Sequence, residues 1–293
     1  YNEKSNGRYV WSESEQFQIY ADVMAMFNKT WNKWSLNAAV GTSINKNKVN
    51  SLMLDSKIAS LYKPNLFTVA NIVMGSNASI NQEIDQRRTI QSVFGTAQIG
   101  FDEALYLDIT ARNDWSSTLA HTESMNSGFF YPSVGLSWII NNSLKLPEWI
   151  SFGKVRGSWA QVGNDTDPYA VNQTYSFATM EMYDGNIYTN ELDKLMKIAD
   201  LKPERKNSWE IGLDFRTFNN RLNLDFTYYK ENTTDQIMKI NVPAISGVTQ
   251  QLVNAGNIQN SGIEIALNTT PIKTKDWQWD LDFTYTRNRS KSR

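Results

Sequence analysis

Hydrophobic and polar residues alternate with a period of two along most of this chain, most regularly between residues 209 and 231. The apolar positions of this segment are Trp209, Ile211, Leu213 and Phe215, then Leu222, Leu224, Phe226 and Tyr228. Asn219 and Asn220 lie between the two arms, and asparagine tolerates the positive φ that a tight hairpin turn requires. The segment is therefore predicted to be a β-hairpin with one apolar face and one polar face.

The same alternation recurs elsewhere and predicts about ten strands of roughly 10 to 13 residues, close to the length that spans a bilayer when a strand is tilted. The other predicted strands cover residues 17–27, 34–40, 93–101, 105–112, 130–140, 152–163, 263–269 and 277–285. We expect an all-β, antiparallel fold.

The connections between these strands alternate strictly between short and long. The long connections are predicted at residues 42–88, 113–128, 164–206 and 232–258. Every short turn closes a hairpin, so the short turns are expected on one side and the long loops on the other. This arrangement is typical of a transmembrane β-barrel with short periplasmic turns and long extracellular loops. A soluble sandwich has no reason to sort its loops by length.

Tryptophan placement favours the same interpretation. Six tryptophans lie at or beside the short-turn ends of the predicted strands: Trp31, Trp34, Trp138, Trp149, Trp277 and Trp279. Trp115 and Trp209 lie at the opposite ends. Tryptophan collects at the two interfaces of a bilayer. The alternative is that these rings pack in the core of a sandwich, although core tryptophans should favour strand middles.

Composition excludes several classes of function. The length of 293 residues allows one or two ordinary domains or one large β-structure. A net charge of −1 gives no electrostatic reason to expect nucleic acid as a partner. The absence of cysteine excludes disulfides, thiolate sites and zinc ribbons. No apolar run approaches the roughly 18 residues of a spanning helix, which argues only against a helical membrane protein.

No residue pattern predicts catalysis or a cofactor. His121 is the only histidine and lies in a polar loop, so no transition-metal site is expected. Asn164, Asp165 and Asp167 carry oxygens that calcium could bind, but they lack the ligand spacing and terminal Glu of an EF-hand loop. A turn at the end of a strand is the better interpretation of these three residues.

Four segments resemble one family of membrane proteins. Residues 112–119 read R-N-D-W-S-S-T-L and residues 130–138 read F-Y-P-S-V-G-L-S-W. Residues 201–210 read L-K-P-E-R-K-N-S-W-E and residues 252–264 read L-V-N-A-G-N-I-Q-N-S-G-I-E. In this order they closely resemble the SusC/RagA family of TonB-linked outer-membrane transporters of Bacteroidetes. The resemblance runs over most of the chain from about Pro64 onward.

The resemblance implies a large barrel with an N-terminal plug domain that takes up oligosaccharides or peptides. It also implies two partners: the TonB complex, which supplies force across the periplasm, and a SusD-like lipoprotein, which caps the outer mouth. Ten strands are fewer than half of the 22 in such plugged barrels, and an open sheet leaves edges that lipid would penalise. We therefore expect residues 1–293 to be an internal part of the barrel domain, with the plug and the remaining strands elsewhere.

The polar face of the predicted strands has two interpretations. It either lines a water-filled lumen and contacts the plug, or forms the solvent-exposed face of a soluble sheet; the sorted loops favour the lumen. The residues predicted to face the lumen are Asp108, Arg112, Lys154, Arg156, Glu210, Asp214, Arg216, Asp225 and Glu264. Asp280 and Asp282 belong to the same face.

Asn113, Asp114 and Trp115 are candidates for substrate binding. A flat aromatic ring beside an amide and a carboxylate can stack on a sugar and hydrogen-bond to it. The alternative, which we favour, is an architectural role in ordering a loop at the barrel mouth, because the motif belongs to the whole family while substrates differ within it.

The sequence thus predicts an outer-membrane, multi-pass importer segment in contact with lipid, without enzymatic activity. The alternative from another class is a soluble β-sandwich module, for example one that binds carbohydrate. A sandwich would be a compact, water-soluble monomer, whereas a barrel segment would carry an apolar outer belt.

Overall fold

A computed structural model of the chain describes residues 7–57, 61–73, 79–120, 128–172, 175–182, 185–192, 194–196 and 202–292. Its main element is a ten-stranded antiparallel sheet. In sheet order, the strands are β1 (Val10–Trp31), β2 (Trp34–Asp55), β3 (Ser79–Phe101), β4 (Leu105–Ser116), β5 (Phe129–Ile139), β6 (Ile150–Asn164), β10 (Glu204–Thr217), β11 (Leu222–Thr234), β14 (Ile258–Lys273) and β15 (Gln278–Ser292).

The remaining strands lie within the long connections of the sheet. Strands β7 (Tyr175–Met182) and β8 (Gly185–Leu192) form a two-stranded sheet. Strands β9 (Leu195–Met196), β12 (Ile237–Asn241) and β13 (Gln250–Asn254) form a three-stranded sheet. One α-helical turn, α1 (Ile140–Ser143), and three 3₁₀ turns (Val69–Asn71, Ser117–Leu119 and Ala244–Ser246) complete the described elements. The prediction of an all-β fold with about ten strands is confirmed.

The chain consists of two compact units. Unit 1 contains residues 1–21 and 44–90, and unit 2 contains residues 22–43 and 91–293. All five short connections of the main sheet, at residues 32–33, 102–104, 140–149, 218–221 and 274–277, belong to unit 2. Because consecutive strands are antiparallel, these short connections lie at one end of the strands, and the three long connections of unit 2 lie at the other. The strict alternation of short and long connections is confirmed.

The predicted hairpin of residues 209–231 is the pair β10–β11. Ile211 lies opposite Tyr228, Leu213 opposite Phe226 and Phe215 opposite Leu224, so the apolar residues of both arms share one face. The turn between them has positive φ at Phe218, Asn219 and Asn220. The predicted turn residues and face assignment are therefore correct, and Phe218 joins the turn.

In unit 1 the predicted irregular stretch 42–88 was wrong at both ends. Strand β2 continues to Asp55 and β3 begins at Ser79, so β1, β2 and β3 have 22, 22 and 23 residues. The apolar alternation stops there because Thr42, Lys46 and Lys48 stand at positions that continue the apolar face of β2. On the other face Gln16 donates to Asn47 at 3.2 Å, and Gln18 donates to Asn45 at 3.1 Å. The backbone ladder continues where hydrophobic periodicity, the pattern used for the prediction, no longer marks it.

The connection at residues 61–73 of unit 1 is organised around the buried side chain of Asn71. Its Oδ1 accepts from the Lys63 backbone N–H at 2.9 Å, and its Nδ2 donates to the carbonyls of Lys63 and Leu66 at 2.8 and 2.7 Å. Leu61 and Ile72 form an isolated bridge and are buried. This is a compact surface loop closed by one amide side chain.

The described part of the main sheet has no apolar core along its strand middles. The buried apolar residues are found in connections, in small strands and at a strand end: Leu61, Ile72, Ala104, Leu119, Phe129, Val248 and Leu252. By contrast, Ile211 and Trp209, on a strand with neighbours on both sides, are 60% and 61% exposed. A β-sandwich would bury such residues against a second sheet. The sandwich alternative therefore does not fit the structure.

Candidate functional site

The polar face of the sheet in unit 2 is the candidate functional site. Strand registers align its side chains in rows, one of which runs from Arg156 through Gly212 and Thr227 to Glu264. All nine residues predicted to face a lumen lie on this face: Asp108, Arg112, Lys154, Arg156, Glu210, Asp214, Arg216, Asp225 and Glu264. Each of them therefore lies on the face that the alternation in the sequence predicts. That this face lines a lumen stays a prediction.

Arg156 is the centre of a hydrogen-bonded cluster on this face. Its Nη2 donates to Thr227 Oγ1 at 2.7 Å and lies 3.4 Å from Asp225 Oδ1, and its Nε lies 3.4 Å from Glu210 Oε1. The side chain thus extends from β6 across β10 to reach β11. Thr227 is buried, and a depression of about 440 Å³ beside Arg156 is lined in part by Glu210, Tyr229 and Glu264.

Gly212 makes this arrangement possible. It lies between Arg156 and Thr227 in the row, and a Cβ at this position would approach the Arg156 Nε and Cζ atoms to 2.5 Å. The same device recurs one strand pair further along. The Tyr229 ring lies over Gly262 and its hydroxyl donates to Asn288 on β15 at 3.3 Å. Glycines on the polar face therefore allow long side chains to lie flat across a neighbouring strand.

Arg216, Asp214 and Asp108 of this face also have defined partners. Arg216 donates to both carboxylate oxygens of Asp214, at 3.2 and 3.0 Å, and its guanidinium lies 4.9 Å from the Phe152 ring centroid. Asp108 accepts from Gln98 at 2.8 Å. These contacts hold the charges flat against the sheet in a mixed pattern of both signs. Such a surface suits hydration and contact with another polar surface better than contact with lipid.

Arg112 and Asp114 form an ion pair on β4, with Arg112 Nε 2.6 Å from Asp114 Oδ1. Arg112 also donates to Ser92 at 2.7 Å and lies over the Phe94 ring, 5.8 Å from its centroid. Arg112, the first residue of the family motif at residues 112–119, is therefore a strand residue held by three partners.

The prediction that Asn113, Asp114 and Trp115 lie in a loop was wrong, because β4 continues to Ser116. Alternation puts Asp114 on the polar face and the other two on the apolar face. Gly128, at φ +67°, approaches Asn113 and Trp115 so closely that a Cβ there would lie 2.4 and 3.0 Å from their side-chain nitrogens. This packing supports an architectural role, and substrate binding by these three residues stays a prediction.

Sequence reasoning missed a hydroxyl–carboxylate cluster at the ends of β4 and β6. Asp165 Oδ2 accepts from Ser116 Oγ at 2.5 Å and from Thr118 Oγ1 at 3.0 Å. Ser116 and Thr118 are buried. The available indication was an Asp placed directly after a strand. The carboxylate considered for calcium therefore binds hydroxyl donors, and His121 lies outside the described residues.

A second ionic site lies in unit 1, at the end of β2. Asp55, whose side chain is 3% exposed, accepts from Arg8 Nε and Nη2 at 2.9 and 2.7 Å and from the Lys57 backbone N–H at 2.9 Å. These hydrogen bonds, first those of Arg8, hold the pKa of the Asp55 carboxyl well below its ordinary value. The site fixes the end of the strand.

Among the described residues no group of three or more His, Cys, Asp or Glu side chains is arranged to hold a metal ion. None of the helices among them is long and apolar enough to cross a membrane.

An antiparallel sheet with an exposed apolar face, a charged opposite face and connections sorted by length defines the chain as a segment of an outer-membrane β-barrel. The family model "TonB dependent receptor-like, beta-barrel" matches residues 2–293. The chain belongs to this family, whose members are outer-membrane proteins.

Curated relatives agree with this assignment. TonB-dependent receptor P3 of Formosa agariphila is 30% identical over 207 residues, covering 68% of this chain and 20% of the relative. TonB-dependent receptor SusC of Bacteroides thetaiotaomicron is 29% identical over 206 residues, covering 67% of this chain and 20% of the relative. The chain therefore spans about a fifth of the length of these relatives.

The fold is also that of a solved transporter. A structure of the RagAB peptide transporter superimposes with a TM-score of 0.74 at 23% identity, covering 97% of this chain and 30% of that chain. The outer-membrane transporter YddB of Escherichia coli superimposes with a TM-score of 0.62 at 10% identity, covering 97% of this chain and 34% of that chain. Resemblance to the SusC/RagA family is confirmed.

Proposed function

We propose that residues 1–293 form part of the barrel wall of a SusC/RagA-type, TonB-dependent nutrient importer in the outer membrane. The observation that carries this proposal is the polarity of the β10–β11 hairpin: Ile211 and Trp209 are largely exposed, while Thr227 on the other face is buried. The apolar face contacts lipid and the polar face lines the lumen. The family is one of transporters and receptors. The mechanism we propose is gated passage without covalent chemistry.

The substrate class we propose is oligosaccharides or peptides. The curated relative SusC and the solved RagAB peptide transporter support this choice. We propose two partners: a SusD-like lipoprotein over the outer mouth, and the TonB complex, which is engaged by a part of the transporter outside this barrel segment. The plug and the remaining strands belong to the rest of the full-length protein.

Import can be tested in cells with the full-length gene deleted. We expect loss of uptake of at least one member of a panel of isotope-labelled oligosaccharides and peptides. The full-length gene should restore that uptake, and a protonophore should abolish it, because TonB is energised from the inner membrane. Uptake of the whole panel at the parental rate in the deletion strain would contradict the proposal.

Orientation can be tested separately with single cysteines, since this chain has none of its own. In a cysteine-free full-length protein without its lipoprotein, Gly185→Cys at the start of β8 should react with a membrane-impermeant maleimide on intact cells. Asn220→Cys in the short turn should react only after the outer membrane is permeabilised. Labelling of Asn220→Cys on sealed cells, with Gly185→Cys silent, would invert the proposed topology.

A further inference from the structure

The apolar face of unit 2 ends in a group of cations on the side of the long connections. The apolar residues of β15, Leu281, Phe283 and Tyr285, are followed at the same two-residue spacing by Arg287, Arg289 and Lys291. Lys230 continues the apolar face of β11 and Arg205 continues that of β10. We call the five residues the cation band: Arg205, Lys230, Arg287, Arg289 and Lys291.

Strand registers place the cation band where the apolar face ends. The row at this boundary runs from Ile211 through Tyr228 and Ile263 to Arg287, the first cation of the band on β15. The next row places Lys230 and Arg289 on either side of Ser261. Neighbouring strands lie about 4.8 Å apart and successive rows about 7 Å apart. Four of the five cations therefore fall within three adjacent rows, a patch of roughly 10 by 14 Å.

The charge of the cation band is not neutralised by its neighbours. All five side chains are exposed, and none forms an ion pair with another residue in the described ranges. The nearby carboxylates of Glu231 and Glu264 belong to the other face by alternation, and Glu231 pairs there with Lys206 at 2.7 Å. The rows of the cation band also hold Trp209 and neutral polar residues, but their charged side chains are all cationic. A strand face that changes from mainly apolar to neutral polar and cationic over two rows fits the boundary between hydrocarbon and anionic head groups.

We propose that the cation band binds the phosphate groups of anionic lipid in the outer leaflet. Arginine offers paired N–H donors that match a phosphate, and cations close to an anionic surface are attracted to its phosphates. The apolar rows below the band hold the acyl chains of the same lipid, so head group and chains are recognised together. This inference depends on the proposed orientation, in which the long connections are external.

The test uses the purified full-length transporter in phosphatidylcholine nanodiscs, titrated with lipid A that carries two phosphates. The triple variant Arg287→Gln, Arg289→Gln and Lys291→Gln should bind it on the order of 100-fold more weakly than the parent. A matched triple at the short-turn end, Lys145→Gln, Lys273→Gln and Lys275→Gln, removes the same charge from exposed positions and should bind like the parent. The double variant Arg287→Lys and Arg289→Lys, which retains charge and folding, should keep most of the affinity.

Three results would overturn the inference: equal weakening in both triple variants, equal binding of phosphate-free lipid A by the parent, or displacement of the lipid by an equal concentration of inorganic phosphate. The last result would assign the band to free anions. If the triple variant of the cation band does not assemble, the parent protein provides the test. Its affinity for lipid A should fall as the salt concentration rises and as phosphates are removed from the lipid. Binding is measured without transport, so failure here is distinct from failure of the uptake or labelling experiments.

Discussion

The two faces of the β10–β11 hairpin differ in which side chains they expose and which they bury. On one face Trp209, Ile211 and Tyr228 are 61%, 60% and 41% exposed. On the other, Thr227 is 8% exposed beneath the Arg156 side chain. Both strands have neighbours on either side, so this difference is not an effect of a sheet edge.

This contrast inverts the rule for water-soluble sheets, in which the apolar face packs on a core and the polar face is hydrated. Buried strand residues of the polar face include Ser43, Ser92 and Thr227. Short polar side chains are therefore packed within the sheet, although Asp225 and Arg216 of the same face are exposed, and apolar side chains form an exposed outer surface. The arrangement is stable only if the medium outside is hydrocarbon.

The largest expected effect comes from placing a charge on the apolar face. Leu224→Arg in the full-length protein should impair assembly, because a cation near the bilayer midplane costs about 2–4 kcal/mol. The measurement is the amount of folded barrel in outer-membrane fractions, read by heat-dependent gel mobility. Asp225→Asn, one residue along on the polar face, should leave this amount nearly unchanged. Equal losses at both positions would remove the distinction between the faces.

A smaller effect is expected from filling the gap beneath Arg156. Gly212→Ala should displace the Arg156 side chain from Thr227 and Asp225 and lower the free energy of unfolding by about 1–2 kcal/mol. Urea unfolding of the full-length protein in detergent measures this loss. Gly157→Ala, whose Cβ would meet only the Glu210 carbonyl at 3.9 Å, is the matched control and should be neutral.

A double variant tests why Gly212→Ala destabilises the protein. In an Arg156→Ala background the guanidinium is absent, so Gly212→Ala should no longer destabilise. If Gly212→Ala is as damaging there as in the parent, backbone strain rather than contact with Arg156 is responsible.

The smallest effect is expected for an exposed ion pair within the polar face. Arg216→Gln removes the pair with Asp214 and should change the free energy of unfolding by about 0–1 kcal/mol, since such pairs are screened by water and salt. Repeating the unfolding curve at high salt should shrink the difference between variant and parent. A larger loss that is independent of salt would mean that contact with the Phe152 ring dominates.

Sequence reasoning succeeded where one repeating pattern determines the structure. The alternation of Trp209, Ile211, Leu213 and Phe215 fixed the pleat of β10, and the paired asparagines located the turn. The same periodicity found all ten strands of the main sheet and the sorting of connections by length.

The errors arose where hydrogen bonding replaces hydrophobic burial. Strands β2 and β3 extend beyond the apolar alternation, through positions at which polar residues such as Lys46, Lys48 and Arg87 replace apolar ones. The small sheets of β7–β8 and of β9, β12 and β13 lie in connections that were read as loops. The prediction of a loop at Asn113, Asp114 and Trp115 fails because polar residues interrupt the pattern there, although the β4 ladder continues with Asn113 opposite Phe130 and Asp114 opposite Phe129.

The side-chain contacts within the polar face could likewise not be predicted from the sequence. The reach of Arg156 across Gly212 depends on strand order, which brings β6 beside β10 although about 40 residues separate them. A glycine inside a strand indicates that another group approaches the backbone closely there, but it does not identify the side chain that does so.

The central claim, that one face meets lipid and the other does not, is tested most directly by site-directed spin labelling along β11. Single cysteines at residues 222 to 229 of a cysteine-free full-length transporter, labelled in liposomes, report collision with oxygen dissolved in the bilayer and with a water-soluble nickel chelate. Labels at Leu224, Phe226 and Tyr228 should collide with oxygen, whereas labels at Asp225, Thr227 and Tyr229 should be immobile or accessible to nickel. Accessibility without a period of two, or with the two faces exchanged, would contradict the account.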